Sequence, residues 1–218
     1  IVMSVADAFT YTHPGTEQAD EQVSAAPAST RGHRQRHGFV VATSFGGVVG
    51  TLLAARFPER VRSLITIASA DGFDESMAEE IARWREACVR ALAGGDRGQL
   101  SDVLQPVAYS PAYLAAHAAE LAGRRAQVAA LPTTWFQGLI GLLDSANSLR
   151  VRDELAAIRC PTLVVAAELD RFVPLERARG LAAAIPGARF ELIAGAGHAV
   201  VVEQPRRVVE LCLGVLGA

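Results

Sequence analysis

This 218-residue sequence is short of several things that would have settled its class at once. It has three cysteines, Cys88, Cys160 and Cys212, far apart and odd in number, with no C-x-x-C pair. That excludes a disulfide framework and a cysteine-based zinc site; the expectation is three buried free thiols, no metal and no organic cofactor. It also lacks an excess of either charge. Twenty-one basic and 23 acidic side chains leave a net charge of −2, which offers no field for nucleic acid or anionic lipid. Aromatic residues make up only 6%. The basic run Arg31-Gly32-His33-Arg34-Gln35-Arg36-His37 therefore has no aromatic interleaving and reads as a solvated connector. No basic segment followed by an apolar one opens the chain, so no signal peptide is expected and the cytoplasm is the default compartment. The first residue is Ile1, which predicts a fragment or a trimmed start.

What is present is apolar material. Hydrophobic residues are 50% and charged residues 20%, enough for a sizeable core in one domain with an inserted subdomain. The chain is organised around Gly38 to Ala55, 18 residues without a charge. A membrane span is the first reading of such a run. Its glycines, its central Thr43-Ser44 pair and the lack of a basic flank beyond His37 argue against that, and no membrane partner is expected. Phe39-Val40-Val41-Ala42 reads as a strand and Val48 to Phe57 as a helix. Between them Ser44 stands at the apex of a tight turn, in the small-x-Ser-x-Gly pattern of a nucleophile elbow. Small residues on either side let the serine sit in a strained backbone conformation without collision.

Around this stretch the chain divides into three. In residues 1–70, Ile1 to Val5 suits a short strand, and Thr16 would cap a helix over Glu17 to Ala26. Strand 39–43, helix 45–57 and a buried strand from Val61 to Ala68 follow. Residues 71–150 carry no convincing strand. Met77, Ile81, Trp84, Cys88 and Leu92 share one helical face, Ala112 to Ala130 is helix-prone, and Thr134 to Leu149 is strongly apolar. This is a helical insertion after the second clear strand. Its Trp84, Tyr113, Trp135 and Phe136 are candidates to contact substrate, or serve simply as its core. In residues 151–218 the α/β rhythm returns. A strand at 162–167, a helix at 175–185 with Arg177 and Arg179 outward, a strand at 189–193 and a last helix opened by Pro205 are expected.

Parallel α/β sheets place functional loops at the carboxyl ends of their strands. Ser44, Asp170 and His198 each follow an apolar strand, so one sheet edge would gather them. A serine hydroxyl needs a base to take its proton. Histidine takes and returns a proton near neutrality, and a carboxylate fixes its tautomer. Glu168 is an alternative acid. His13, His33, His37 and His117 lack a comparable strand-end position.

From about Gly38 onward the chain resembles the α/β-hydrolase fold in its lid-bearing form, similar to the branch of 3-oxoadipate enol-lactonases and small serine esterases. The residues that carry the likeness are Thr43-Ser44-Phe45-Gly46-Gly47, Ala54-Ala55-Arg56-Phe57-Pro58-Glu59-Arg60-Val61, Ile158-Arg159-Cys160-Pro161-Thr162-Leu163-Val164-Val165, Asp170 with Pro174, Ile185-Pro186-Gly187-Ala188, and His198 with Glu203 and Pro205. The order Ser, Asp, His is that of the family. The resemblance implies a mostly parallel sheet flanked by helices, with Ser44 as nucleophile, Asp170 as acid and His198 as base. It gives the Phe45 backbone N–H as one oxyanion donor and 71–150 as the lid. The implied substrate is a small apolar ester or lactone.

The start of the chain departs from that pattern. The family has several strands before the elbow and a His-Gly loop that gives the second oxyanion donor. Only 37 residues precede Gly38 here. Arg31-Gly32-His33 lies too near Ser44, and His13-Pro14-Gly15 is better spaced but weakly matched, so the second donor stays unassigned. An uncovered elbow strand would be an unpaired apolar edge. Either the chain is a truncated hydrolase, or residues 1–37 or a second copy in a homo-oligomer cover that edge. Losing one oxyanion donor costs on the order of 10²–10³ in rate. Weak activity, or a hydrolase-like module that only binds a small ligand, is therefore the alternative expectation.

Overall fold

The structure is a computed structural model, and it describes residues 2–3, 38–146, 149 and 151–216. The helix expected over 17–26, the basic run at 31–37 and the His13-Pro14-Gly15 segment lie outside the described residues. Five strands form one sheet in the order β1-β2-β3-β4-β5, with every neighbouring pair parallel. They are β1 (Val2–Met3), β2 (Gly38–Thr43), β3 (Val61–Ile67), β4 (Thr162–Ala167) and β5 (Arg189–Ile193). β4 and β5 begin and end where the apolar pattern placed them.

Side-chain alternation assigns the two faces of the sheet. Leu64 and Val164 point to one face and pack with Val48 and Ala54 of α1 (Ser44–Arg56) and Leu181 of α7 (Leu175–Ala184). Ile65, Leu163 and Val165 point to the other and meet Val208 and Leu211 of α9 (Pro205–Leu216). β4 is buried along its whole length, as a strand covered on both faces must be. α1 lies so close to the sheet that a methyl group added at Gly50 would come within 3.0 Å of Val40 and 3.3 Å of Ala42.

Between β3 and β4 the chain is helical: α2 (Glu75–Leu92), α3 (Gln99–Ala108), α4 (Pro111–Ala116), α5 (Ala118–Ala129) and α6 (Thr133–Ala146). These helices hold their own core, in which Met77, Ile81, Trp84, Cys88, Leu100 and Phe136 are buried. Phe172 and Val173, from the loop after β4, join that core and fasten it to the sheet.

As expected of a short strand near the start of the chain, Val2 and Met3 pair with Val41 and Ala42 and give β2 a neighbour on its outer side. Three particulars differ from expectation. The segment Ala112 to Ala130 is two helices, broken at His117, and α3 has no counterpart in the expected elements. Arg177 turns inward to the buried Asp71, 3.3 Å away, while Arg179 stays exposed. Of the three free cysteines only Cys88 is fully buried; Cys160 and Cys212 are half-buried. Among the described residues no helix is long and apolar enough to cross a membrane.

Candidate active site

The carboxyl ends of β2, β4 and β5 converge. β2 ends at Thr43, and the chain turns at once into α1 through Ser44, whose φ is 50°. A non-glycine residue at positive φ is strained and persists only where its surroundings over-determine it. Here the constraint comes from behind. A Cβ on Gly47 would lie 2.4 Å from Ser69 Oγ, so only glycine allows α1 to start against the end of β3. A second strained residue, Ala68 with φ 48°, marks that neighbouring strand end.

His198 arrives on the glycine-rich loop after β5. Gly195 has φ 70°, and its N–H donates to Glu168 Oε2 at 2.8 Å. A side chain on Gly197 would come within 2.7 Å of the Ser110 nitrogen. Glu203 Oε1 accepts from Gly197 N–H (3.1 Å) and Ser110 N–H (2.9 Å), tying the loop to the helical segment.

The three sequence candidates meet in one relay. Ser44 Oγ is 2.8 Å from His198 Nε2, and His198 Nδ1 is 2.9 Å from Asp170 Oδ2. Asp170 can only accept while ionised, so Nδ1 carries the proton and Nε2 accepts from the serine hydroxyl. Asp170 is held in turn: its Oδ1 accepts from the N–H groups of Phe172 (2.9 Å) and Val173 (2.8 Å). Its side chain is 3% exposed, against 15% for His198. Phe172 also packs edge-on against the His198 ring at 5.1 Å. Glu168, the alternative acid, is engaged with Gly195 instead. His117 stacks on Tyr113 at 3.8 Å, and its Nδ1 lies 3.0 Å from the Tyr113 carbonyl. His13 and His33 lie outside the described residues, as does His37.

A hydroxyl within reach of an imidazole, itself oriented by a buried carboxylate, can lose its proton as it attacks an electrophile. Ser44 and His198 open onto a cavity of about 740 Å³ with mostly apolar walls. That volume suits a small organic molecule. Leu104, Val107, Ala108, Val201 and Val202 line it.

The aromatic candidates divide. Trp84 and Tyr113 line the cavity. The Trp84 ring packs 4.6 Å from Phe172, and its buried Nε1–H has no hydrogen-bond partner among the described residues. Trp135 and Phe136 are not among the lining residues; Phe136 is fully buried in the helical core, with Trp135 edge-on against it at 5.2 Å. Sequence reasoning did not single out the polar lining residues Ser101, Gln105, Tyr109, Glu120 and Arg124. Arg124 donates to Tyr109 Oη at 2.5 Å and to Glu120 Oε1 at 2.7 Å. Burial works against the charge on Arg124, but Glu120 and the tyrosines outweigh it and hold the guanidinium above its ordinary value. Burial likewise pushes the Tyr109 hydroxyl up, so it keeps its proton at neutral pH.

A family model described as alpha/beta hydrolase fold matches residues 18–205. The protein named as the carbamate hydrolase RutD of Azorhizobium caulinodans is 35% identical over 188 residues, covering 82% of this chain and 65% of its own length. A pimeloyl-[acyl-carrier protein] methyl ester esterase of Aeromonas hydrophila is 30% identical over 172 residues, covering 77% and 66%. The chain thus spans about two-thirds of the length of these relatives. Among solved structures, a hydrolase from Pseudomonas aeruginosa superposes with a TM-score of 0.70 at 27% identity, over 84% of this chain and 66% of the other. The enol-lactonase of Burkholderia xenovorans gives a TM-score of 0.72 at 23% identity, over 84% and 67%, a likeness of fold alone. With the turn at Ser44, the parallel sheet and the family match across most of its length, the chain belongs to the α/β-hydrolase-fold family.

Proposed function

We propose that this chain is a serine hydrolase that cleaves a small carboxylic ester or lactone through an acyl-Ser44 intermediate. The observation that carries the reading is the continuous relay from Ser44 through His198 to the buried Asp170, opening on one apolar cavity. The names of the relatives, a methyl ester esterase and a carbamate hydrolase, point to the same class of acyl cleavage.

In this reading the Ser44 hydroxyl attacks the substrate carbonyl while His198 Nε2 takes its proton. The imidazolium that forms is stabilised by Asp170, which stays ionised. Negative charge gathers on the former carbonyl oxygen. In this reading the Phe45 N–H, in the first turn of α1, donates to that oxygen, and the positive end of the helix dipole adds to it. His198 then returns the proton to the departing alcohol. A water molecule repeats the sequence on the acyl-serine and frees the acid. Helices α2 to α6 act as the lid, with Trp84 and Tyr113 on its cavity side.

The test is covalent labelling with a fluorophosphonate. The folded chain is expected to take up one equivalent at Ser44. Ser44→Ala abolishes labelling, and His198→Ala slows it by at least about a thousandfold, the scale of removing a triad base. Folded protein that takes up no label would sink the enzyme reading and leave a ligand-binding module in its place.

A further inference from the structure

Resting on the hydrolase reading, we infer that Arg124 is the recognition point for a carboxylate on the substrate, and that Glu120 is the internal carboxylate that occupies it otherwise. The substrate class would then be an ester or lactone whose acyl portion carries a free acid group.

The argument starts from the polar inventory of an apolar cavity. Sites of this kind use a few placed polar groups to fix orientation and specificity. Ser44 and His198 serve each other. Gln105 Nε2 donates to Ser101 Oγ at 2.7 Å and to the Leu121 carbonyl at 3.0 Å, so these groups satisfy one another. Besides the buried indole N–H of Trp84, the remaining polar lining is Thr43 beside the elbow and the set Tyr109, Tyr113, Glu120 and Arg124. Only the last set carries charge.

Arg124 has five N–H donors in a planar fork. Its bonds among the described residues, to Tyr109 and Glu120, leave donors for another planar anion. A carboxylate fits that fork with two parallel bonds, better than a spherical anion. Tyr109 strengthens the site. Its hydroxyl accepts from Arg124 and is protonated, so its own proton can reach the same anion. The ring is held by stacking on Tyr113 at 5.0 Å and an interplanar angle of 14°.

Exposure separates the two charged partners. The Arg124 side chain is 21% exposed and Glu120 46%. Glu120 can swing into water at little cost, whereas Arg124 is lodged against the tyrosines. A substrate carboxylate therefore exchanges for Glu120 without leaving a charge unpaired. The site also lies beside the chemistry. Tyr109 and Leu121 are buried together with Ala199, the residue after His198, and Ala199 N–H donates to the Ala108 carbonyl at 2.7 Å.

The experiment compares monomethyl adipate with methyl hexanoate, an acidic and a neutral ester of equal acyl length. Their affinities for the full chain carrying Ser44→Ala are measured by calorimetry. Binding is thus read without turnover, and turnover of the same esters by the wild-type chain reports separately on the hydrolase reading. The ratio of affinities, acidic over neutral, is expected to favour the acid. Adding Arg124→Met, which keeps the packing stem, lowers that ratio by roughly 10- to 100-fold, the scale of a charge-assisted hydrogen-bonded pair. Adding Glu120→Gln raises it several-fold, because the competitor is gone. Structural damage cannot produce these opposite signs. A ratio that neither variant moves, or that both move in the same direction, overturns the inference even if the wild-type chain cleaves both esters.

Discussion

Ser44 and Cys88 show what its surroundings do to a single side chain. Ser44 is held at φ 50° by its neighbours and spends that strain on presenting its hydroxyl to His198. Cys88 is inert by the same logic of surroundings. It lies in the core of the helical segment at 0% exposure, and burial pushes its thiol up to about 11. A thiol whose pKa is raised on folding binds its proton more tightly when folded. The stability tied to that proton is complete below the unfolded pKa near 9 and is lost as pH rises towards 11. Burial raises Cys160 and Cys212 in the same direction. The unfolding free energy, from urea titrations at successive pH values, should be level up to pH ~9. It should then fall by about 3 kcal/mol at most on account of Cys88, at 1.36 kcal/mol per unit. Cys88→Ala should flatten the slope between those pH values. Identical slopes in the two proteins would remove Cys88 from the account.

At the scale of the element, α2 shows how much one side chain decides. Asp74 precedes its first turn with extended backbone, and Asp74 Oδ1 accepts from Met77 N–H at 3.1 Å and from Ser76 Oγ at 2.7 Å. Burial works to raise the Asp74 pKa, but these bonds and Arg177 outweigh it and hold the carboxyl below its ordinary value. The cap's contribution is therefore present above the unfolded pKa and lost as pH falls through the folded one. Asp74→Ala should lower stability by about 1 kcal/mol at neutral pH, while Asp74→Asn, which can still accept, should retain most of it. Equal losses in the two variants, measured by chemical denaturation, would show that the charge matters and the cap does not. The elements that sequence reading located share this local logic. β4 and β5 are short apolar runs between turn residues, and α2 carries its apolar positions at helical spacing. α3 escaped because Pro106 lies inside it and Leu100, its fully buried anchor, is buried in a core built from residues far from it in sequence. The break at His117 has no glycine or proline to announce it; the His117 ring stacks back on Tyr113. That break sets which face of α5 looks into the cavity, so Glu120 and Arg124 could not be read as lining residues beforehand. Ser44, Asp170 and His198 could, because the end of a parallel strand is legible and its neighbours then follow from topology.

For the whole molecule the question is what, besides the β3–β4 pairing, joins the two halves of the sheet across the helices inserted between them. Phe172 and Val173 do so by packing. Asp71 does so by charge. It lies just after β3, with its side chain 1% exposed. Its two partners come from beyond the helical segment: Arg152 Nη2 is 2.8 Å from Oδ2, and Arg177 Nε, on α7, is 3.3 Å from Oδ1. Among the described residues neither carboxylate oxygen has a well-aligned hydrogen bond, so the contact with the two arginines is chiefly Coulombic. The partners differ in worth. Arg152 is 67% exposed and held loosely, whereas Arg177 is 26% exposed and also 3.7 Å from Asp74 Oδ2. Removing one member of a buried pair leaves the other uncompensated and costs about 3–5 kcal/mol, while replacing both is often neutral. Arg177→Met should therefore destabilise by about that amount, and Arg152→Met by less than about 1 kcal/mol, as for an exposed pair. Adding Asp71→Asn to Arg177→Met should restore most of the loss, because the orphaned charge is gone. A double-mutant cycle in urea measures this as a coupling of a few kcal/mol. Additive losses would mean that Asp71 and Arg177 act independently, and that this ion pair adds nothing to the β3–β4 pairing and the packing of Phe172 and Val173.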